Sequence, residues 1–367
     1  MLNNFAFSSN TTAGCSNQHY CLSDGAPHTR RAYFKIFAGG RYNYSLVFSG
    51  ILDGSYRRIS FPDEPCGGWT IHSARVGRLS GISDDIFRGD KISQDSLTPP
   101  DFTPLTFSGE DCIVAPTELF RTDPISMYFE KGDYLCLEIC VSGGRIPCHP
   151  ECVTPIFDLT DNRLTATTDM PLPCMIGTDR PVKGKIAFLG DSITQGVGTD
   201  IGSYKHWVAL LSDMLPEDYS PWNLGIGYGK ASDVSDFEHW FSKAASCDTV
   251  FVCYGVNDIN GDTDACELKR RLSTLVDRLN SLGKRIILQT IPPYDYPEAR
   301  RLVWEEVNRY ITDELSKAVL RVFDVREVLS LSASEPHKTR FGGHPNAEGC
   351  ALWARKLYEC IGDLFPV

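Results

Sequence analysis

Four short blocks in the second half of the chain hold side chains whose types and order suit acyl transfer. The first, Gly190-Asp-Ser-Ile-Thr-Gln-Gly196, sets the Ser192 hydroxyl after an apolar run, at the entry to a helix, where backbone N–H groups can polarise it. Alone it reads equally well as a helix N-cap by Asp191 or Ser192. The second, Asn223-Leu-Gly-Ile-Gly-Tyr-Gly229, presents little side-chain bulk to a ligand, and the third, Gly255-Val-Asn-Asp258, offers the Asn257 carboxamide. Backbone N–H groups and an Asn amide aimed at one point form an oxyanion hole, usually the largest electrostatic contribution to acyl transfer. In the fourth, His344-Pro-Asn346, the imidazole follows Gly342 and Gly343 at the mouth of the last helix and is placed to act as a general base. Taken singly, the glycines are turns, the Asn is an Asx-turn and one histidine among eight is structural. Their order is what singles them out.

The elements that must position these blocks follow from the pattern after Lys185. Apolar runs Lys185–Leu189, Trp222–Leu224, Thr249–Tyr254, Arg285–Thr290 and Leu320–Asp324 alternate with helical patterns at Tyr204–Leu215, Val234–Ala245, Cys266–Leu282, Glu298–Lys317 and Ala347–Ile361. Strands alternating with helices imply right-handed crossovers and a parallel sheet covered on both faces, a three-layer α/β domain. Ligands in such sheets bind beyond the carboxyl ends of the strands, where the blocks fall.

The first half has a different grammar. Ala32–Phe37, Tyr44–Phe48, Trp69–Ser73, Ile125–Phe129 and Tyr134–Ile139 are short alternating runs between Gly, Asp and Pro, the pattern of an all-β sandwich or jelly roll. From Gly144 to Gly184 the pattern lapses among Pro147, Pro150, Pro155, Pro171, Pro173 and Pro181, which reads as a connection. Ile156-Phe157 and Met175-Ile176 are too apolar for a freely solvated linker and should pack on a surface. The expected division is 1–183 and 184–367.

Composition agrees with two globular domains: 367 residues, 42% hydrophobic and 23% charged. A formal charge of −11 disfavours nucleic acid and anionic lipid. No run approaches the roughly 20 apolar residues of a membrane span, and the first ten residues lack a basic and an apolar region, so a cytoplasmic location is expected. Fourteen cysteines are sparse over this length and read as small buried hydrophobes, with Cys253, Cys350 and Cys360 in apolar or amphipathic segments.

In this order, each at the end of its own element, the four blocks resemble those of the SGNH (GDSL-type) hydrolase superfamily, over about Lys185 to Leu364. The resemblance implies a flavodoxin-like α/β/α fold that hydrolyses esters and thioesters without metal or organic cofactor. It implies Ser192 as nucleophile, His344 as base, and the Ser192 amide, a second-block amide and Asn257 as oxyanion donors. Asp191 would brace the turn. Two positions depart from the family pattern. The second-block glycine is replaced by Tyr228, flanked by Gly227 and Gly229, so either Gly227 or Tyr228 supplies the backbone donor. The acid usually three residues before the histidine is Phe341. Either a Ser–His dyad has a backbone carbonyl on Nδ1, or Glu335 or Asp324 substitutes.

No long apolar lid is evident, and Trp207, Leu210, Leu211 and Met214 read as core, so short acyl groups are expected. A leading β-sandwich, with Pro104-Leu-Thr-Phe107 through Ser126–Leu135, resembles that of two-domain carbohydrate acetyl esterases, which implies a sugar or oligosaccharide ester as substrate. Tyr42, Tyr44, Trp69 and Tyr128 are then core residues or a sugar-stacking platform. Cys136-x3-Cys140 and Cys148-His149-x2-Cys152 are compatible with structural zinc, though the spacing is not that of a zinc finger, and no metal is expected. Two other readings remain: a thioesterase or lysophospholipase using the same residues, and an inactive glycan-binding protein.

Overall fold

The computed structural model describes residues 5–14, 16–22, 24–53, 68–87, 95–236 and 238–366. By its internal contacts the chain forms two compact units, Met1–Val182 with Asp200–Tyr204, and Lys183–Thr199 with Lys205–Val367.

The first unit is built from antiparallel strands. Alternation sets their faces: Ala32, Phe34 and Ile36 join one apolar cluster and Tyr33 another, as do Leu135, Leu137 and Ile139 against Tyr134 and Cys136. One sheet runs in the order Arg163–Ala166, Ile156–Thr160, His28–Lys35, Tyr134–Ser142, Thr70–Leu79 and Thr103–Leu105. A second centres on Gly40–Ser49, which pairs with Met175–Thr178, Leu119–Arg121 and Ile125–Phe129. Phe34 and Leu137 of the first sheet and Tyr44, Leu46, Phe48 and Ile176 of the second share one core, so the sheets pack face to face. Cross-strand charge pairing also ties the first sheet: Glu138 accepts from Arg31 Nε and Arg75 Nε, each at 2.7 Å.

One expectation fails here. The Pro-rich segment is not a connection, because Arg145–Cys148, Ile156–Thr160 and Met175–Thr178 are strands paired with His19–Leu22, His28–Lys35 and Gly40–Ser49. Its prolines are compatible with that: Pro147 lies in a two-stranded ladder, and Pro155, Pro171 and Pro173 precede strands, where no ladder N–H is lost. Of the four aromatics read as core or platform, the core reading holds for two. Tyr44 and Trp69 are fully buried and Tyr42 is partly so. Tyr128 is exposed, with the Arg41 and Arg78 guanidinium groups over its ring.

The second unit holds five parallel strands in the order Tyr219–Gly225, Gly184–Gly190, Thr249–Cys253, Arg285–Gln289 and Arg321–Phe323. In chain order this is 2-1-3-4-5, the doubly wound arrangement whose switch point lies between the first and third strands. Helices Trp207–Met214, Ala265–Ser281, Glu298–Asp313 and Ala347–Ile361 supply the covering layers. The expected helix at 234–245 is two, Ala231–Asp236 and Glu238–Ala245, and residue 237 lies outside the described residues. Trp207 stacks on Trp353 at 4.8 Å, and Phe188 on Phe251 at 4.8 Å. Trp207 and Leu211 are buried, whereas Met214 is exposed. Among the described residues no helix is long and apolar enough to cross a membrane.

Candidate active site

Ser192 opens the one-turn helix Ser192–Gln195, directly beyond the strand Gly184–Gly190. The turn is pressed against two strand ends. A Cβ on Gly190 would fall 2.0 Å from Thr194 Oγ1, and one on Gly225 would fall 2.2 Å from the Gln195 nitrogen, so only glycine lets the backbones meet this closely. Asn223 fastens the contact: its Nδ2 donates to the Thr194 and Gln195 carbonyls, while its Oδ1 accepts from Gly225 N at 2.9 Å. Asp191 is the N-cap, accepting from Ile193 N at 2.9 Å. Burial pushes its carboxyl up to about 7, against the Ile193 hydrogen bond and with help from the nearby charge of Asp258.

His344 lies in the turn before the last helix, whose N-cap Asn346 accepts from Gly349 N at 3.0 Å. Across 152 residues of sequence its Nε2 meets Ser192 Oγ at 2.8 Å. With the imidazole neutral, the serine hydroxyl donates to Nε2 and can lose its proton there. Burial holds the histidine below its ordinary value of 6.5, which keeps that lone pair free.

Among the described residues this arrangement has no third member of a triad. Among the described residues neither a carboxylate nor a carbonyl hydrogen-bonds His344 Nδ1, so the backbone-carbonyl expectation fails along with both acids. Glu335 is in the hairpin strand Glu335–Thr339 and pairs with Lys338. Asp324 accepts from Thr290 Oγ1 at 2.9 Å and from the Arg326 guanidinium. Burial alone would raise the Asp324 carboxyl, but the Arg326 hydrogen bonds and charge leave it lowered. Phe341, where the acid was expected, is buried against the last helix beside Gly349.

What the imidazole has instead is a ring. Tyr294 meets His344 edge-on, with centroids 6.0 Å apart and planes at 81°. The adjacent Asp295, in left-handed backbone at φ 50, accepts from Thr339 N at 2.9 Å and so ties this loop to the hairpin leading into the histidine turn. The sequence reading passed over Tyr294, although its segment Pro292-Pro293-Tyr294 follows the strand Arg285–Gln289. The strand-end rule applied to that fourth strand would have found it.

Asn257 lies in the first turn of the helix Val256–Asn260, after the third strand. Its Nδ2 donates to Gly229 O at 3.1 Å, which joins the second and third blocks and leaves one amide N–H for another acceptor. Between them Gly227 is buried, whereas Tyr228 is exposed and takes φ 59, the left-handed region glycine favours. Ser192 and His344 are joined by a direct hydrogen bond, and Asn257, Gly227 and Tyr228 cluster at neighbouring strand ends.

Residues 188–352 match the GDSL-like lipase/acylhydrolase family. No curated protein sequence matches the chain. Similar solved structures include a member of the lipolytic protein G-D-S-L family from Veillonella parvula DSM 2008, 23% identical, covering 48% of this chain and 98% of its own, with a TM-score of 0.40. Axe2, an acetylxylan esterase from Geobacillus stearothermophilus, is 23% identical over 50% of this chain and 95% of its own, with a TM-score of 0.41. TesA is 18% identical over 49% and 99%, also with a TM-score of 0.41. With Ser192 and His344 hydrogen-bonded at the switch point of a parallel sheet, residues 188–352 are a GDSL-like lipase/acylhydrolase domain, that of a carboxylic ester hydrolase.

Proposed function

We propose that the protein hydrolyses short-chain carboxylic esters, acetyl esters of carbohydrates first among them, through an acyl-enzyme on Ser192. The observation that carries this reading is the 2.8 Å hydrogen bond between Ser192 Oγ and His344 Nε2. His344 takes the hydroxyl proton as Oγ attacks the ester carbonyl, and returns it to the departing alcohol. The oxyanion is met by the Asn257 amide and by backbone N–H groups at Ser192 and at Gly227 or Tyr228. Water then attacks the acyl-enzyme with His344 again as base, so acid and free serine result. Asp191 takes no part in the chemistry and braces the turn.

A short acyl group is supported by the burial of Trp207 and Leu211 in the core. The carbohydrate alcohol rests on the β-sandwich resemblance. The test is a chain-length series of p-nitrophenyl esters followed by acetylated xylooligosaccharides. Acetate should be the best chromogenic substrate, and Ser192→Ala or His344→Ala should lower kcat by at least about a thousandfold. A preference for octanoyl or acyl-thioester substrates would move the protein to the thioesterase or lysophospholipase reading. No Ser192-dependent turnover of any ester would leave the inactive glycan-binding reading.

A further inference from the structure

The five clustered residues that suggested zinc in the sequence do not converge. Cys136 is sealed in an apolar cluster with Tyr33 and Phe157, Cys152 Sγ donates to Thr154 O, and among the described residues only Cys148 of the five belongs to a group of donors able to share an ion. Its companions come from far away in sequence. His19–Leu22 and Arg145–Cys148 pair antiparallel, with Cys21 opposite Ile146 and His19 opposite Cys148. Side chains two residues apart on a strand share a face, so Cys21 and Cys148 are diagonal neighbours on one side of this ladder, with His19 beside them. Asp169, in the loop after the strand Arg163–Ala166, completes the group: the two Sγ atoms and a carboxylate oxygen lie within 4.8 Å of one another.

Three features make this more than proximity. Both cysteines are free thiols. The Asp169 carboxylate makes no hydrogen bond or ion pair among the described residues, its backbone N–H alone being engaged, by Thr167. Finally, Cys148 is only 1% exposed whereas Cys21 and Asp169 are partly open, so the group has a closed floor and a solvent entrance. Tetrahedral zinc with bonds of about 2.0–2.3 Å holds its ligand atoms roughly 3.5–3.8 Å apart, so a contraction of about 1 Å would close the set.

We propose that Cys21, Cys148 and Asp169 form a binding site for one divalent cation of the zinc class, with solvent in the fourth position. Two thiolates and one carboxylate select zinc over magnesium or calcium, which take oxygen ligands. Binding forms two metal–sulfur bonds and one metal–oxygen bond. It releases the two thiol protons to solvent, and the Cys21 Sγ–H bond to Ile146 O, now 3.3 Å, is lost. The ion would staple three segments of the first unit that the sequence holds far apart, so its effect is on stability and not on ester hydrolysis.

The experiment uses full-length protein, reduced, stripped with chelator and titrated with Co²⁺ as a spectroscopic probe. One equivalent should develop thiolate-to-metal charge transfer and tetrahedral d–d bands, and Zn²⁺ should displace it and raise Tm. Cys148→Ser and Cys21→Ser should abolish the charge transfer at that concentration, and Asp169→Asn should weaken Co²⁺ binding about tenfold or more, while Cys136→Ala leaves the spectrum unchanged. The wild-type titration decides even where a variant fails to fold. No charge transfer at one equivalent, its loss in Cys136→Ala but not Cys148→Ser, or a Cys21–Cys148 disulfide formed in preference to the metal complex would each overturn the proposal.

Discussion

At the scale of single residues, the unusual feature is that His344 has Ser192 on one ring nitrogen and, among the described residues, no carboxylate on the other. An acid partner would raise the imidazole above its ordinary value, whereas burial alone lowers it. The acid limb of kcat/KM should therefore titrate below pH 6.5, with activity lost as the pH falls through it, because the protonated ring cannot accept the serine proton. A limb well above 6.5 would show that a carboxylate reaches Nδ1. Glu335→Ala should stay within about twofold of wild type, since Glu335 pairs with Lys338 and makes no hydrogen bond to the ring among the described residues. The positions of Ser192 and Asn257 were legible in the sequence because each is a polar residue just beyond an apolar run, and that of His344 because two glycines set it at the mouth of the last helix. What orients the ring was not legible, because Phe341 says only that the usual acid is missing there. What stands beside His344 is Tyr294, from a loop about 50 residues earlier in the chain, a pairing no local pattern records.

At the scale of elements, two helices of the catalytic unit are capped by buried titratable residues, and their pH dependences oppose each other. Asp191 has its folded value raised to about 7 from 3.8, so the folded state holds the extra proton; that stabilisation is complete below 3.8 and is lost as pH rises through 7. His206 caps Trp207–Met214 by accepting from Ala209 N, and burial lowers it to about 4 from 6.5. There the unfolded chain binds the proton, so stability falls as pH drops from 6.5 toward 4. Between 4 and 6.5 the two partly cancel, and above 6.5 only the Asp191 contribution changes. Urea midpoints should accordingly fall between pH 6.5 and 8 in wild type and fall less in Asp191→Asn, which keeps a cap acceptor without the charge. Asp191→Ala should lose about 1 kcal/mol through the missing cap at any pH. Equal pH slopes in wild type and Asp191→Asn would refute the assignment. The cap itself is visible in the sequence, whereas burial, which sets the sign, comes from neighbours such as Asp258, 67 positions away in the numbering.

At the scale of the whole molecule, alternation of apolar runs and helices was sufficient to give the parallel sheet, and period-two runs to give the antiparallel half. The stretch between them was misread because proline density masks strands that take their partners from elsewhere. Met175–Thr178 pairs with Gly40–Ser49, and nothing near residue 175 announces residue 45. The apolar pairs Ile156-Phe157 and Met175-Ile176 were the usable signal, and all four side chains are buried. The same distance hid the Cys21–Cys148–Asp169 group, since thiol spacing along the chain favours neighbours in sequence over neighbours across a ladder. The claim on which the rest depends is that the chain forms a covalent intermediate at one serine. Full-length protein mixed with a short-chain fluorophosphonate and digested should carry a single adduct, on the peptide containing Ser192, formed far more slowly in His344→Ala and absent in Ser192→Ala. Labelling of another residue, or equal rates with and without His344, would contradict it.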